Sequence, residues 1–218
     1  MSSSTKKISR RSMLAAGAGI AASAVSASVL GGQMTATPSN PEGPFYPIHP
    51  QLDKDTDLTL IEGHEERAQG EVIRVSGRVL DEQGQPVEGA LVDIWQANAH
   101  GRYQHEDDTA TAPLDPNFQG WGMVKTDADG HYSFTTIKPG SYAVGADWRR
   151  PPHIHYKVSR RGYHELITQM YFADEHLNDS DKLFLSVDEP KRELLVVDFK
   201  EKDGIRQGEF PIVLARVS

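Results

Sequence analysis

Val72-Ile73-Arg74-Val75-Ser76-Gly77-Arg78-Val79-Leu80 is a β-type run that ends at the turn-forming Asp81-Glu82-Gln83-Gly84-Gln85-Pro86 and resumes as Ala90-Leu91-Val92-Asp93-Ile94-Trp95. The same rhythm repeats downstream. Residues 121–126 lead through Asp127-Ala128-Asp129-Gly130 into residues 131–136, and later runs cover 153–159, 165–172, 192–200 and 210–217. Short runs at this spacing predict an all-β sandwich or barrel rather than alternating βα units. Helix signals are scarce. Residues 41–69 are polar and read as a wrapping arm or loop with at most a short helix.

Asp127-x-Asp129-Gly130 has the opening of a calcium loop but not the remaining ligands or the terminal glutamate, so it reads as a hairpin turn. Ahead of the arm, Lys6, Lys7, Arg10 and Arg11 precede a mildly apolar run over residues 13–30 rich in Ala, Gly and Ser. Ser9-Arg10-Arg11-Ser12-Met13-Leu14 matches a twin-arginine export signal in type and order. The run is long enough to serve as a membrane anchor, but its Gly and Ser content suits a cleaved signal better. The expected division is a signal over 1–34, an arm over 35–70 and a β-sandwich domain over 71–218. Such a protein is exported, to the periplasm or beyond.

The chain has no cysteine, which excludes a disulfide framework and a lipidated-cysteine anchor. The formal charge is −8, and all four cations before Glu42 lie in the signal while no acidic residue precedes it. Removing them leaves 19 of the 23 basic residues against 31 acidic ones, a balance of −12. That balance speaks against nucleic acid and against a polybasic membrane patch once the signal is removed.

Pro151-Pro152-His153-Ile154-His155 carries the chemistry. A strand sends alternate side chains to one face, so His153 and His155 can chelate one ion. The two prolines stiffen the strand entry. Two placed tyrosines, Tyr103 and Tyr142, add hard oxygens that favour Fe(III) when ionised.

The segments Ile94-Trp95-Gln96-Ala97-Asn98, Gly101-Arg102-Tyr103, Asp115-Pro116-Asn117-Phe118, Ile137-Lys138-Pro139-Gly140 and Pro152-His153-Ile154-His155 resemble, in order and spacing, the intradiol ring-cleavage dioxygenases. Within them the protocatechuate 3,4-dioxygenase type is most similar, from Thr37 to the C-terminus. Gly43-Pro44-Phe45-Tyr46 and residues 167–172 fit the same pattern. The resemblance implies a two-sheet β-sandwich with long loops and the N-terminal arm. It implies a non-haem Fe(III) held by Tyr103, Tyr142, His153 and His155, with Tyr142 and His155 axial and Tyr142 the ligand displaced by substrate. It also implies cleavage of a catechol-type diol, such as protocatechuate, with O2 to a cis,cis-muconate. Arg150 corresponds to an arginine that stabilises charge on the substrate, and Gln169 to a glutamine near the oxygen side. Val144 departs from the aromatic of the family pattern near the ring substituent. A homo-oligomer or a related second subunit is the implied assembly.

Two other readings compete. A carrier-type β-sandwich fits the strands but has no need of the His-x-His pair or the placed tyrosines. A zinc hydrolase using the same histidines lacks a Glu or Asp at a usual zinc-motif spacing.

Overall fold

The computed structural model describes residues 32–49 and 53–217; the twin-arginine and apolar parts of the expected signal lie outside them. Strand β1 (Val72–Asp81) is the pivot of the first sheet. It pairs antiparallel with β4 (His131–Ile137) on one side, Val75 opposite Phe134. On its other side it pairs in parallel first with β11 (Ile205–Glu209) and then with β12 (Ile212–Leu214), while β10 (Lys200–Lys202) extends β11.

The second sheet has the order β3-β2-β7-β8-β9. Its members are β2 (Leu91–Trp95), β3 (Trp121–Lys125), β7 (His153–Ser159), β8 (Leu166–Phe172) and β9 (Val196–Val197). A separate two-stranded ribbon joins β5 (Tyr142–Ala143) to β6 (Arg149–Arg150). Two one-turn helices, α1 (Lys182–Leu185) and α2 (Glu189–Arg192), follow β8.

The all-β expectation and the two layers hold. Ile73, Val75 and Phe134 from the first sheet share one buried cluster with Ile94, Ile154, Tyr156 and Met170 from the second. Fully burying each such side chain stabilises the fold by about 1.5–3 kcal/mol before entropy is counted. Ile154, Tyr156 and Val158 alternate into that core, so the two-residue period turns His153 and His155 to the outer face of the second sheet. The arm crosses this sheet. Asn40 N–H donates to Ile167 O (2.8 Å) and Thr168 Oγ1 to Pro38 O (2.7 Å), and farther along Thr37 N–H donates to Val213 O (3.1 Å).

Three local expectations are corrected. Residues 127–130 form a tight turn, with Asp127 Oδ1 accepting from Asp129 N and His131 N, but it joins β3 of one sheet to β4 of the other and closes no hairpin. Turn chemistry is local and does not state which partner a strand will take. The 192–200 run is helical in its first part, and only Val196–Val197 pairs with β8. A short apolar run is ambiguous by itself, and here Pro190 in the first turn of α2 and an Asp181 cap on α1 start helical turns. Of the 210–217 run only Ile212–Leu214 is a β12 strand, and β11 precedes it unanticipated. No helix forms among the described residues of the arm.

Candidate metal centre

The site is assembled on the outer face of β7. Direct cross-strand neighbours share a face, so His153 lies beside Tyr171 and His155 lies between Gln169 of β8 and Trp95 of β2. Pro151 and Pro152 separate β7 from the ribbon, whose register sets Tyr142 opposite Arg150. Tyr103 comes from the loop after β2. That loop is organised by buried Asn98, whose Oδ1 accepts from the backbone N–H of His100 and Arg102 while its Nδ2 donates to Pro113 O.

Two glycines bring the tyrosine-bearing segments into backbone contact. A Cβ on Gly101 (φ +78°) would lie 2.4 Å from Ser141 O, and one on Gly140 would lie 2.4 Å from Ala99 O. Each glycine stands two residues before its tyrosine. Any larger residue would push Tyr103 and Tyr142 apart.

Three donor atoms converge. His153 Nε2 and His155 Nε2 are 3.2 Å apart, and Tyr103 OH is 3.4 Å from the first and 3.1 Å from the second. Ligands at right or tetrahedral angles on one ion, with bonds of about 2.0–2.1 Å, sit about 2.9–3.4 Å from each other. Tyr142 closes the group, its ring 5.6 Å from Tyr103 and 5.7 Å from His153 between centroids. All four residues expected as metal ligands are therefore in one place.

The donor set fits a cation. His153 Nδ1 lies 2.7 Å from Pro151 O, and a carbonyl only accepts, so Nδ1 carries the proton and Nε2 presents a lone pair. His155 Nδ1 has no hydrogen-bond partner among the described residues, and the ring is instead stacked on Trp95 at 4.7 Å and 15°. One phenolic hydrogen cannot satisfy two imidazoles. A cation satisfies all three lone pairs at once. No group of three or more His, Asp or Glu forms a metal site among the described residues, so the tyrosines are needed to complete this one.

Electrostatics agree. Burial, aided by Arg150, pushes His155 down to about 3 and His153 well below its ordinary value, so both imidazoles are neutral and able to ligate. Burial raises Tyr103 well above an ordinary phenol and also raises Tyr142, which Arg150 pulls partly back. Without a cation both stay protonated; a trivalent ion beside them favours the phenolates.

Arg150 is almost fully buried and is gripped from three sides. Its Nε donates to Asp181 Oδ2 (2.7 Å), and its Nη2 donates to Gln169 Oε1 (2.6 Å) and Tyr171 OH (3.1 Å). Asp181 has no exposed surface, and its other oxygen caps α1 by accepting from Leu183 N and Phe184 N. Gln169 is likewise fully buried, with Nε2 donating to Pro41 O (3.2 Å), and it lies beneath Arg150 rather than on the cavity wall. Asp181, Tyr171 and Trp95 were not singled out as site residues from the sequence. Tyr171 was within reach, two residues from Gln169 and on the same strand face. Asp181 was not, because one carboxylate among 31 acidic residues carries no local mark.

Tyr142, His155 and Arg150 form the floor of a cavity of about 690 Å³ that opens between the arm, the Tyr103 loop and the ribbon. A family model described as a dioxygenase matches residues 42–215. The chain is 46% identical over 168 residues to the protocatechuate 3,4-dioxygenase beta chain of Burkholderia cepacia, covering 73% of this chain and 71% of that one. It is 31% identical over 181 residues to a hydroxyquinol 1,2-dioxygenase of Rhizobium sp. (strain MTP-10005), covering 77% of this chain but only 56% of that enzyme. Among solved structures, the dioxygenase domain of a dioxygenase and carbohydrate-binding protein fusion from Streptomyces sp. SirexAA-E superposes with a TM-score of 0.61 at 31% identity, covering 84% of this chain and 100% of that one.

Proposed function

This chain belongs to the intradiol ring-cleavage dioxygenase family, close to its protocatechuate type, and on that premise we propose that it is a non-haem Fe(III) enzyme cleaving a catechol-type diol with O2 to a cis,cis-muconate. The observation that carries this reading is the convergence of two imidazole nitrogens and a phenol oxygen, 3.1–3.4 Å apart, with a second phenol at the floor of an open cavity. Fe(III), held by Tyr103, Tyr142, His153 and His155, would supply a trivalent Lewis acid that ionises phenols.

The chain's residues divide the remaining work. His153, tied through Nδ1 to Pro151, and His155, stacked on Trp95, are preorganised ligands that need not move when the ion arrives. Tyr103 is buried with its backbone N–H held by Asp108 (2.7 Å) and acts as a permanent ligand. Tyr142 is only half-buried and borders the cavity, so with a cation bound its phenolate would be the one placed to take a proton from an entering diol. Arg150 offers a fixed guanidinium, which cannot lose its proton, to charge developing on substrate oxygen. Gln169 positions Arg150 through its Oε1, beside the oxygen side that the family likeness implies for it.

A substituted catechol is the substrate, with protocatechuate the reference compound by kinship. The beta-chain relative supports assembly with a related subunit or with further copies of this chain. The N-terminal pattern supports export by the twin-arginine route, leaving the arm and sandwich as the mature enzyme.

The test is a visible spectrum of the purified iron-loaded protein, followed by anaerobic catechol and then air. A tyrosinate-to-Fe(III) band that shifts with the diol and recovers as muconate forms is expected. A colourless protein, inert after iron reconstitution, removes the enzyme reading and leaves a β-sandwich binding module.

A further inference from the structure

The cavity is far larger than its floor requires. Three residues, Tyr142, His155 and Arg150, border the place where a diol would sit, and the half-open space above them is about 690 Å³. Ligand pockets of roughly 300–1,000 Å³ take ligands of drug size, so a single ring with two hydroxyls would leave room beside it. Small side chains line two of its walls. Residues 109–112 read Thr-Ala-Thr-Ala along one wall, and Ala143 and Val144 line the ribbon side, with Val144 an apolar side chain left 39% exposed.

The two guanidiniums on the walls are turned to partners within the chain. Arg150 is engaged by Asp181, Gln169 and Tyr171. Arg149 turns its Nε to Ser141 Oγ and its Nη2 to Ser141 O, both at 2.9 Å. Asp108 is buried, with its oxygens accepting from Tyr103 N and Ala110 N, while Asp107 stands exposed at the rim. A substituent with a carboxylate would therefore meet the exposed Asp107 carboxylate, while Arg150 is ion-paired to Asp181 and Arg149 is turned back onto Ser141. A neutral, bulky substituent would meet methyl groups, threonine hydroxyls and the rings of Phe45 and Trp148.

We propose that the preferred substrate is a catechol bearing a bulky uncharged substituent, a second ring or a branched chain, housed between residues 109–112 and the Ala143–Val144 wall. This rests on the ring-cleaving reading above and names its substrate class. Burying more of the substituent raises kcat/KM, by roughly fourfold for each methylene removed from water.

The experiment measures kcat/KM of the iron-loaded protein, as purified, for catechol, 4-methylcatechol, 4-tert-butylcatechol, 4-phenylcatechol and protocatechuate. A rise of at least tenfold from catechol to 4-phenylcatechol, with protocatechuate below 4-phenylcatechol, is expected. Cleavage of catechol and protocatechuate without cleavage of the bulky diols overturns the substrate class and leaves the ring-cleaving reading standing. Cleavage of none of them overturns both. Val144→Trp, at an exposed position, should lower kcat/KM for 4-phenylcatechol at least tenfold more than for catechol; an equal effect on the two overturns the placement of the substituent. Anaerobic titration of the tyrosinate band with 4-phenylcatechol gives the same comparison as a binding constant.

Discussion

One face of β7 carries Ile154, Tyr156 and Val158, and the other carries His153 and His155, with only the two-residue period of the strand separating them. The inward face is apolar and packs against the first sheet. Its contribution depends on volume and on exclusion of water, and swaps that conserve volume are well tolerated. The outward face is polar, nearly as buried, and depends on distances between single atoms. Without a cation its crowded lone pairs are a liability to the fold, so the two faces should respond oppositely to substitution. The lesson is that one strand delivers stability and chemistry independently, provided both sides are roofed.

Four changes would break or sharpen that contrast. His155→Ala should produce the largest effect. Metal retention and turnover should fall by more than about a hundredfold, while the melting temperature of the metal-free protein stays within a few degrees. Metal analysis and a thermal melt on the same sample decide it, and a variant that keeps its iron refutes the ligand assignment. Ile154→Ala, one residue away, should do the reverse. It should cost about 2–5 kcal/mol of stability by leaving a core cavity, read as a lower denaturant midpoint, yet bind metal in full while folded.

Arg150→Lys is a finer cut on the site face. A point charge in place of a fork cannot serve Asp181 and Gln169 together, so iron should remain and turnover drop on the order of a hundredfold. Unchanged turnover would take Arg150 out of the reaction.

The smallest effect belongs to a control at the end of β1, remote from the roofed site. Burial alone would raise Asp81, but Arg216 and the backbone N–H groups of Gln85 and Gln83 outweigh it and lower its pKa. A carboxylate lowered on folding adds stability above its unfolded value near ~3.9 and loses it as pH falls through the folded value. Asp81→Asn should therefore be less stable than the parent at pH 7, with the gap narrowing in acid. Urea midpoints at several pH values test this, and metal content at neutral pH should not change.

The correspondence between sequence and structure varies by element. The pair His153 and His155 was legible, because a strand's alternation is a property of the backbone alone, and β7 begins and ends as its pattern indicates. The tyrosines were legible only through likeness to a family, since a lone Tyr in a loop has no period to betray it. The turn at 127–130 was readable as a turn but not as a crossing between sheets. The strand reading of residues 192–200 failed where a helical turn begun upstream at Pro190 runs on to Leu195.

By itself the sequence determined the all-β class, the turn positions and the kinds of donor atom available, because propensity and periodicity act over a few residues. Tertiary structure alone decided that Gly101 and Gly140 draw two distant tyrosines together and that Asp181, 31 residues from Arg150, is its counter-ion. It also decided that small side chains leave a wide cavity above the tetrad. Those outcomes depend on packing between segments far apart in the chain, and no local pattern encodes which segments will meet.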